Sequence, residues 1–179
     1  MAGVDSVEVT TEVYLPPEEV YDFLLEFTQY AKYSEYLTGV RQFGDGSPGT
    51  EYELEFAWWK LTYTARSEVT DVDRPTEIDW RLVKDLDATG RWLVEHEPEL
   101  APEDRDTASR VRFVVEFNPD SADDSAIDLP RLVSFDWVLE KVKPLVLEEA
   151  KRVVGRIVAD IEGDPRDVEL TIHEMPSSV

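Results

Sequence analysis

The chain has 179 residues, of which 42% are hydrophobic, and this length suits one domain with a substantial core. Its 40 Asp and Glu against 18 Lys and Arg give a formal net charge of −22, and the acids are spread along the sequence. This excess opposes binding to nucleic acid and to anionic membrane surfaces, because no basic patch is present to contact phosphates. The absence of cysteine excludes disulfides, thiolate catalysis and Cys-based metal sites.

The composition also bears on where the protein works. Residues Met1 to Ser6 carry an acid and no basic segment, and no apolar run approaches the roughly 20 residues of a membrane span. We therefore expect a soluble, cytoplasmic protein without stable membrane insertion, as a monomer or a homodimer. Few lysines, abundant acids and a single Asn (Asn118) are typical of a protein that works in concentrated salt, although a generic acidic cytosolic protein is the alternative.

The first elements are a strand and a helix. Ser6 to Tyr14 alternate apolar and polar residues, which predicts a half-buried strand. Leu15 to Glu19 place prolines and acids where a helix begins, and Gln29 to Leu37 predict a second short helix or 3₁₀ segment. The core face of the first helix carries Val20, Phe23, Leu24 and Phe27.

Alternating β segments follow without a break. They are Val40 to Phe43, Thr50 to Trp58, Lys60 to Asp71, Glu77 to Val83, Gly90 to His96, and Val111 to Phe117. A long helical stripe then runs from Pro130 to Ile161, and Pro144 is expected to bend it. Val168 to Ile172 predict one extra strand, and the polar segments Glu97 to Ser109 and Asn118 to Leu129 predict mobile loops.

This order predicts an α+β fold. We expect a curved antiparallel sheet of about seven strands wrapped around the long C-terminal helix, with one or two short helices after the first strand. The prediction is a single domain over residues 1–179, with a core of about 5–163 and an extra C-terminal strand over about 166–173. Where the curved sheet and the helix do not meet, a pocket is left between them.

The order is contained in two segments, LPPEEVYDFLLEFTQYAKYSEYLTGVRQFGDGSPGTEYELEF and PRLVSFDWVLEKVKPLVLEEAKRVVGRIVADIEGD. They resemble the helix-grip, START-like superfamily (SRPBCC), of the polyketide cyclase/dehydrase or coenzyme Q-binding type. The most specific match consists of Pro17, Val20, Tyr21 and Leu24, followed by the hairpin of Gly46, Pro48 and Gly49. The resemblance covers about residues 5–163 and implies a START-like ligand-binding domain, while the extra strand departs from the usual pattern.

Aromatic residues on the inward faces of the strands are the main candidates for a binding site. Plain core is the alternative for each of them, but buried Trp and Tyr need partners for their N–H and O–H groups, which a ligand or water in a pocket supplies. The predicted ligand-binding residues are Tyr52, Phe56, Trp58, Tyr63, Trp80, Trp92, Phe113, Phe135, Asp136 and Leu139.

Catalytic candidates are few. Asp136 follows Phe135 on the long helix and is a proton acceptor if it points inward, whereas a solvated helix flank is the alternative. His96 shares a strand face with Trp92 and is a candidate general base, or else it simply ends the strand, and Tyr63 is the third candidate. The histidines lie in separate segments, so we expect no metal site, and no dinucleotide or phosphate-binding motif points to a cofactor.

Three functions remain open. The leading one is binding or transport of a small hydrophobic molecule, such as a lipid, an isoprenoid quinone or a polyketide-like aromatic, without catalysis. The alternative is a polyketide cyclase, aromatase or dehydratase that uses acid and base groups in the cavity. A second alternative, suggested by the resemblance, is a protein-interaction module of the ribosome-associated toxin type.

We predict that folding needs concentrated salt, because the excess of acids creates repulsion that dilute buffer screens poorly. The melting temperature should rise along a potassium chloride series from low to molar concentration. A midpoint that stays level or falls along that series would contradict the prediction.

Overall fold

A computed structural model describes residues 5–118, residue 121 and residues 135–174, and for residues 135–147 it describes the backbone alone. The described residues form eight strands and two α-helices. The strands are β1 (Asp5–Val13), β2 (Leu37–Phe43), β3 (Glu51–Trp58), β4 (Leu61–Asp73), β5 (Glu77–Leu82), β6 (Asp87–His96), β7 (Ser109–Asn118) and β8 (Thr171–Glu174). The helices are α1 (Pro17–Leu25) and α2 (Phe135–Glu162), with 3₁₀ helices at Phe27–Lys32 and Pro98–Leu100.

All strands belong to one antiparallel sheet with the order β2-β3-β4-β5-β6-β7-β1-β8. Successive strands from β2 to β7 are neighbours because short turns connect them, and the first strand pairs with β7 across the sheet. This open antiparallel sheet with a long C-terminal helix confirms the predicted α+β class. The predicted extra strand is present as β8, which pairs with β1.

The extra strand begins later than the sequence indicates. Residues 165–170 are irregular, because the Arg166 side chain is bound to Glu162 and the Glu169 carbonyl accepts a hydrogen bond from Thr11 at 3.0 Å. Only Thr171–Glu174 pair with β1, and the hydrogen bond between Thr10 Oγ1 and His173 Nε2, at 2.8 Å, holds the two strands together.

One face of the sheet, which we call the inner face, packs against the helices. It carries Tyr52, Val69, Ile78, Val94 and Val111, each less than 7% exposed. The helices contribute Val20, Tyr21, Leu24, Phe27 and Val158 to the same cluster. Burying a large apolar side chain contributes about 1.5–3 kcal/mol, so this cluster is the main stabilising element.

The other face, the outer face, is charged. Arg66 lies between Glu51 and Glu53 at 2.7 and 2.8 Å, and Arg81 binds Glu68 at 2.8 Å. Several directly opposed pairs nevertheless carry like charge: Glu51 and Glu68, Asp71 and Asp79, Asp73 and Glu77, and Glu8 and Glu174. Like charges facing one another across strands are destabilising, which agrees with the expected need for salt.

A buried carboxylate joins the end of α2 to the start of the chain. Glu162, whose side chain is 0% exposed, accepts a hydrogen bond from the Tyr14 amide at 2.7 Å and an ion pair from Arg166 at 2.8 Å. Arg166 also donates to the Glu12 carbonyl at 2.8 Å and lies 3.9 Å above the Tyr14 ring. Burial opposes ionisation, but these donors outweigh it and hold the pKa of Glu162 below its usual 4.5.

The loop between β6 and β7, predicted to be mobile, is tied to α2. The Arg105 guanidinium donates to the Glu162 carbonyl at 3.2 Å and pairs with Asp164 at 3.3 Å. The second polar segment, Asn118 to Leu129, lies mostly outside the described residues. Within the described part of the chain, neither α-helix has both the length and the apolar character needed to cross a bilayer.

We predict that Glu162→Gln lowers the free energy of unfolding by about 3 kcal/mol, because it removes the buried carboxylate that compensates the partly buried Arg166 charge. Since the folded pKa is depressed, this contribution is complete above the unfolded pKa and is lost as the pH falls through the folded value. Urea unfolding from neutral pH downwards measures it, and the difference between wild type and variant should shrink at acid pH.

The matched control is Glu148→Gln on the same helix. The Glu148 side chain is 65% exposed and pairs with Arg152 at 3.7 Å, so its loss should change stability by less than about 0.5 kcal/mol. Equal losses of stability in the two variants would show that the buried pair contributes no more than an exposed one.

Candidate functional site

The inner face divides into two halves. Residues directly opposite one another on neighbouring strands point to the same face, so the pairs Phe56 with Tyr63 and Trp80 with Val69 place all four side chains on the inner face. Val69 is 0% exposed, whereas Phe56 is 39% exposed. The half beyond the packed core, which we call the open half, carries Phe56, Trp58, Tyr63, Trp80 and Phe113.

Three rings form a stack across β5, β6 and β7. Phe113 lies between Trp92, at a centroid distance of 4.5 Å, and Trp80, at 6.1 Å with nearly parallel planes. Trp92 also packs against the core cluster. All three rings are only partly buried, so the stack is a flat apolar wall that keeps accessible surface.

A glycine on β6 lets one ring of this stack lie close to the strand backbone. Gly90 lies opposite Trp80, and a Cβ atom at position 90 would be 2.1 Å from Trp80 Cζ2. The Trp80 indole therefore lies directly over the β6 backbone. A side chain at position 90 would occupy the space that the indole fills.

A polar pair lies at the end of the open half that is farther from the packed core. Tyr63 Oη donates a hydrogen bond to Asp85 Oδ2 at 3.1 Å, and Lys84 Nζ lies 3.6 Å from the same carboxylate. Asp85 has φ of 70° in the turn between β5 and β6, a conformation that Asp tolerates better than most residues. This arrangement places one hydroxyl and one carboxylate beside an aromatic surface.

The other predicted site residues lie elsewhere. Tyr52 is 1% exposed and packs edge-on against Phe27 at 4.7 Å, so the structure places it in the core. His96 is exposed and hydrogen bonded to Thr107 at 2.7 Å. It lies eight residues along β6 from Ala88, which is buried near the open half, and at the strand rise this is about 26 Å. His96 and Tyr63 are therefore not brought together.

Three predicted residues belong to the first turns of α2. Phe135, Asp136 and Leu139 are in the helical backbone, but their side chains lie outside the described part of the structure. The helix is continuous through Pro144.

Sequence reasoning missed Asp85 and Gly90. Asp85 belongs to the polar turn Lys84 to Asp87, and an Asp in a short turn is a known candidate for positive φ. Gly90 interrupts an otherwise regular strand pattern, which indicates a close approach of another group to the backbone. Neither sequence signal identifies the residue that Asp85 or Gly90 contacts.

The outer face has a groove of about 430 Å³ whose lining includes Asp79, Arg81, Arg91 and Glu116. Burial, together with the adjacent Glu77 carboxyl, raises the pKa of Asp79 to about 6. The groove lining mixes these charged residues with Trp80, Gly90 and Val114, and the groove lies across the sheet from the aromatic wall. Among the described residues, no group of three or more acidic or histidine side chains is arranged to hold a metal ion.

Comparison with known proteins gives a family and a fold. A family model described as polyketide cyclase / dehydrase and lipid transport matches residues 5–162. The crystal structure of Ara h 8.0201 is similar at a TM-score of 0.58, with 15% identity over 90% of this chain and 100% of that chain. The crystal structure of the Zhui aromatase/cyclase from Streptomyces sp. R1128 gives 0.61, with 18% identity over 89% and 94%. At these identities the two structures indicate a common fold alone, and no curated protein sequence matches the chain.

We predict that Gly90→Ala displaces Trp80, because the added methyl group has no room beneath the indole. The expected loss of stability is about 1–3 kcal/mol, with a changed near-ultraviolet circular dichroism spectrum of the Trp80 and Phe113 stack.

Gly155→Ala in α2 is the control, since no atom lies within 4 Å of the added methyl and alanine is the better helix former by about 1 kcal/mol. This variant should be slightly stabilised with an unchanged aromatic spectrum. A Gly90→Ala protein that behaves like it would show that the indole is not held against the strand.

Proposed function

This chain belongs to the polyketide cyclase / dehydrase and lipid transport family, and on that premise we propose that it binds and carries a small hydrophobic molecule. The ligand lies against the open half of the inner face, with its apolar body on the stack of Trp80, Phe113 and Trp92. A lipid, an isoprenoid quinone or a polyketide-like aromatic has the required character. We take residues 1–179 as one ligand-binding domain, to which β8 is an addition.

One observation carries the proposal: the aromatics of the open half keep accessible surface on the face that elsewhere forms the core. Phe56 is 39% exposed, and Trp58, Tyr63, Trp80 and Phe113 are half-buried. A purely structural face would close over such large rings, because leaving them in contact with water forgoes about 25 cal/mol for every Å² of apolar surface. An apolar ligand recovers this energy on binding.

The polar pair at the end of the face suggests which end of a ligand is recognised. Tyr63 donates its hydroxyl proton to Asp85 at 3.1 Å, so a ligand hydroxyl finds acceptors in the Asp85 carboxylate and the Tyr63 oxygen, and a ligand carbonyl accepts from Tyr63 by replacing Asp85. A molecule with one polar end and a long or flat apolar body fits this arrangement. Exclusively apolar molecules would leave the pair without a role in recognition.

The same pair supports a second candidate function, a cyclase or dehydratase. Such a reaction needs a base that removes a proton and a donor for the oxygen on which charge develops. Asp85 and Tyr63 provide one of each at a single place, whereas His96 lies at the opposite end of the sheet. Asp136 remains a proposed contact of the ligand, on the side covered by α2.

Native mass spectrometry of protein purified from its own host, followed by extraction of bound molecules, identifies the ligand. Incubating that molecule with fresh protein separates the two candidates. Recovery of the unchanged molecule supports a carrier, and conversion to a cyclised or dehydrated product supports an enzyme. Protein that is free of small molecules and binds no member of a lipid and quinone panel would refute both.

We predict that Tyr63→Trp weakens binding of the extracted ligand about tenfold or more while the melting temperature changes little. Tyr63 is half-buried, so the larger ring fills space that the ligand would occupy instead of straining the core. Tryptophan fluorescence titration measures the affinity.

Tyr52→Trp is the matched control, because the same change in the packed core should cost about 1–3 kcal/mol of stability through overpacking. If Tyr63→Trp is destabilised as strongly and ligand affinity is unaltered, the open half is simply core.

A further inference from the structure

The hairpin between β3 and β4 ends in an exposed tryptophan. Trp58 pairs with Leu61, so the turn consists of Trp59 and Lys60 alone. Trp59 is 56% exposed, the largest value among the exposed large hydrophobic residues of the described chain. Its neighbour Phe56, on the same hairpin, is 39% exposed. We call residues 56–60 the hairpin tip.

The backbone at this position is unfavourable for tryptophan. Trp59 has φ of 56°, in the left-handed region where Gly and Asn are preferred and a bulky side chain is a rare outlier. The fold alone would be served better by Asn or Gly in such a tight turn. A bulky residue that strains the turn and leaves more than half of its side chain exposed points to an external contact.

The charge of the hairpin tip differs from that of the rest of the protein. Residues 56–67 contain no Asp or Glu, and this is the longest acid-free run in a chain with 40 acids. Lys60 lies at the turn, with its Nζ 5.7 Å from the Trp59 ring centre. Lys84 lies in the turn that also carries Asp85, the hydrogen-bond partner of Tyr63 in β4. Glu55, the acid that precedes this run in the sequence, is paired with Arg41 at 3.4 Å, and Asp85 is held by Tyr63 and Lys84.

From these observations we infer that the hairpin tip is a reversible docking element for a lipid bilayer. Trp and Lys together suit the headgroup region, where the indole lies in the interface and the ammonium contacts lipid phosphate. The net charge of −22 opposes anionic membranes, so the occupant is a surface of zwitterionic phospholipid. The element is a single turn, which gives weak, transient contact without insertion.

The position of the hairpin tip links docking to the open half. Phe56 belongs to both, and Tyr63 lies opposite it on β4. A molecule leaving the bilayer beside Trp59 therefore meets the aromatic wall without crossing the charged outer face. This consequence rests on the proposed function, whereas docking itself does not.

The test is flotation with phosphatidylcholine vesicles in potassium chloride. Wild type should float with the vesicles, and Trp59→Asn should reduce the bound fraction about tenfold, since interfacial partitioning of one indole supplies most of the affinity. The same variant should melt at a higher temperature, because Asn suits the left-handed turn. A purely structural Trp59 would give the opposite shift in melting temperature.

Phe43→Asn is the matched control. Phe43 is an aromatic residue, 46% exposed, at the far end of the β2 and β3 pair, and its loss should leave flotation unchanged. Bromine-labelled phosphatidylcholine should quench tryptophan fluorescence of the wild type. Trp59→Phe should keep most of the binding and lose the larger part of that quenching, since the neighbouring Trp58 remains.

Several outcomes would overturn the inference. They are wild type that stays with the buffer, equal flotation of wild type and Trp59→Asn, and concentration-dependent dimerisation that Trp59→Asn abolishes without any vesicle binding. Ligand content separates this inference from the proposed function. Trp59→Asn that keeps its ligand but no longer floats supports docking, and protein that floats but never contains a ligand refutes the carrier while docking stands.

Discussion

The buried carboxylate of Glu162 is the contact on which closure of the fold depends. Glu162, at the end of α2, binds the amide of Tyr14, which follows β1. It also binds Arg166, in the segment that leads to β8. The second half of α2 is thereby held over the packed half of the inner face, where Val158 is 1% exposed. The aromatic wall lies beyond this packed half and keeps accessible surface.

Apolar packing and surface charge thus act on different faces of the sheet in this protein. Apolar burial and polar contacts such as the Glu162–Arg166 pair hold the helices to the inner face, whereas the outer face carries rows of acids with arginines between them. Arg66 and Arg81 neutralise some of these acids, yet opposed pairs such as Glu51 and Glu68 keep a surplus. Each exposed pair contributes little, so solution conditions decide the balance of the outer face more than its contacts do.

Much of the fold could be predicted because strand alternation and helix periodicity are local signals. Tyr52, Val69 and Ile78 lie next to acids in alternating strands, and all three are on the inner face as predicted, although Tyr52 belongs to the core and not to the predicted pocket. The helix-grip resemblance is confirmed by the family match over residues 5–162 and by the order of elements. The sequence pattern places the start of β8 too early, because Arg166 binds Glu162 and the residues before Thr171 connect α2 to the edge of β1.

The candidate site was harder to predict, since it depends on which inward residues stay uncovered. Alternation assigns Tyr52 and Phe56 to the same face, but only contact with α1 and the 3₁₀ helix separates a core ring from an exposed one. The pair of Tyr63 and Asp85 joins residues from a strand and a distant turn, and no spacing rule connects them. The boundary between core rings and exposed rings is therefore set by tertiary packing.

The eighth strand has a consequence for self-association. Without it, β1 would present nine residues of unpaired backbone, a template for edge-to-edge assembly. Proteins commonly deter such assembly with charge, but in about 1 M salt electrostatic repulsion reaches only about 3 Å. Steric cover still works there: β8 is four residues long, joins β1 across a register shift, and leaves too short a border for a further chain to extend. In concentrated salt, where surface charge is screened, the shape of the sheet edge at β1 is therefore what limits self-association.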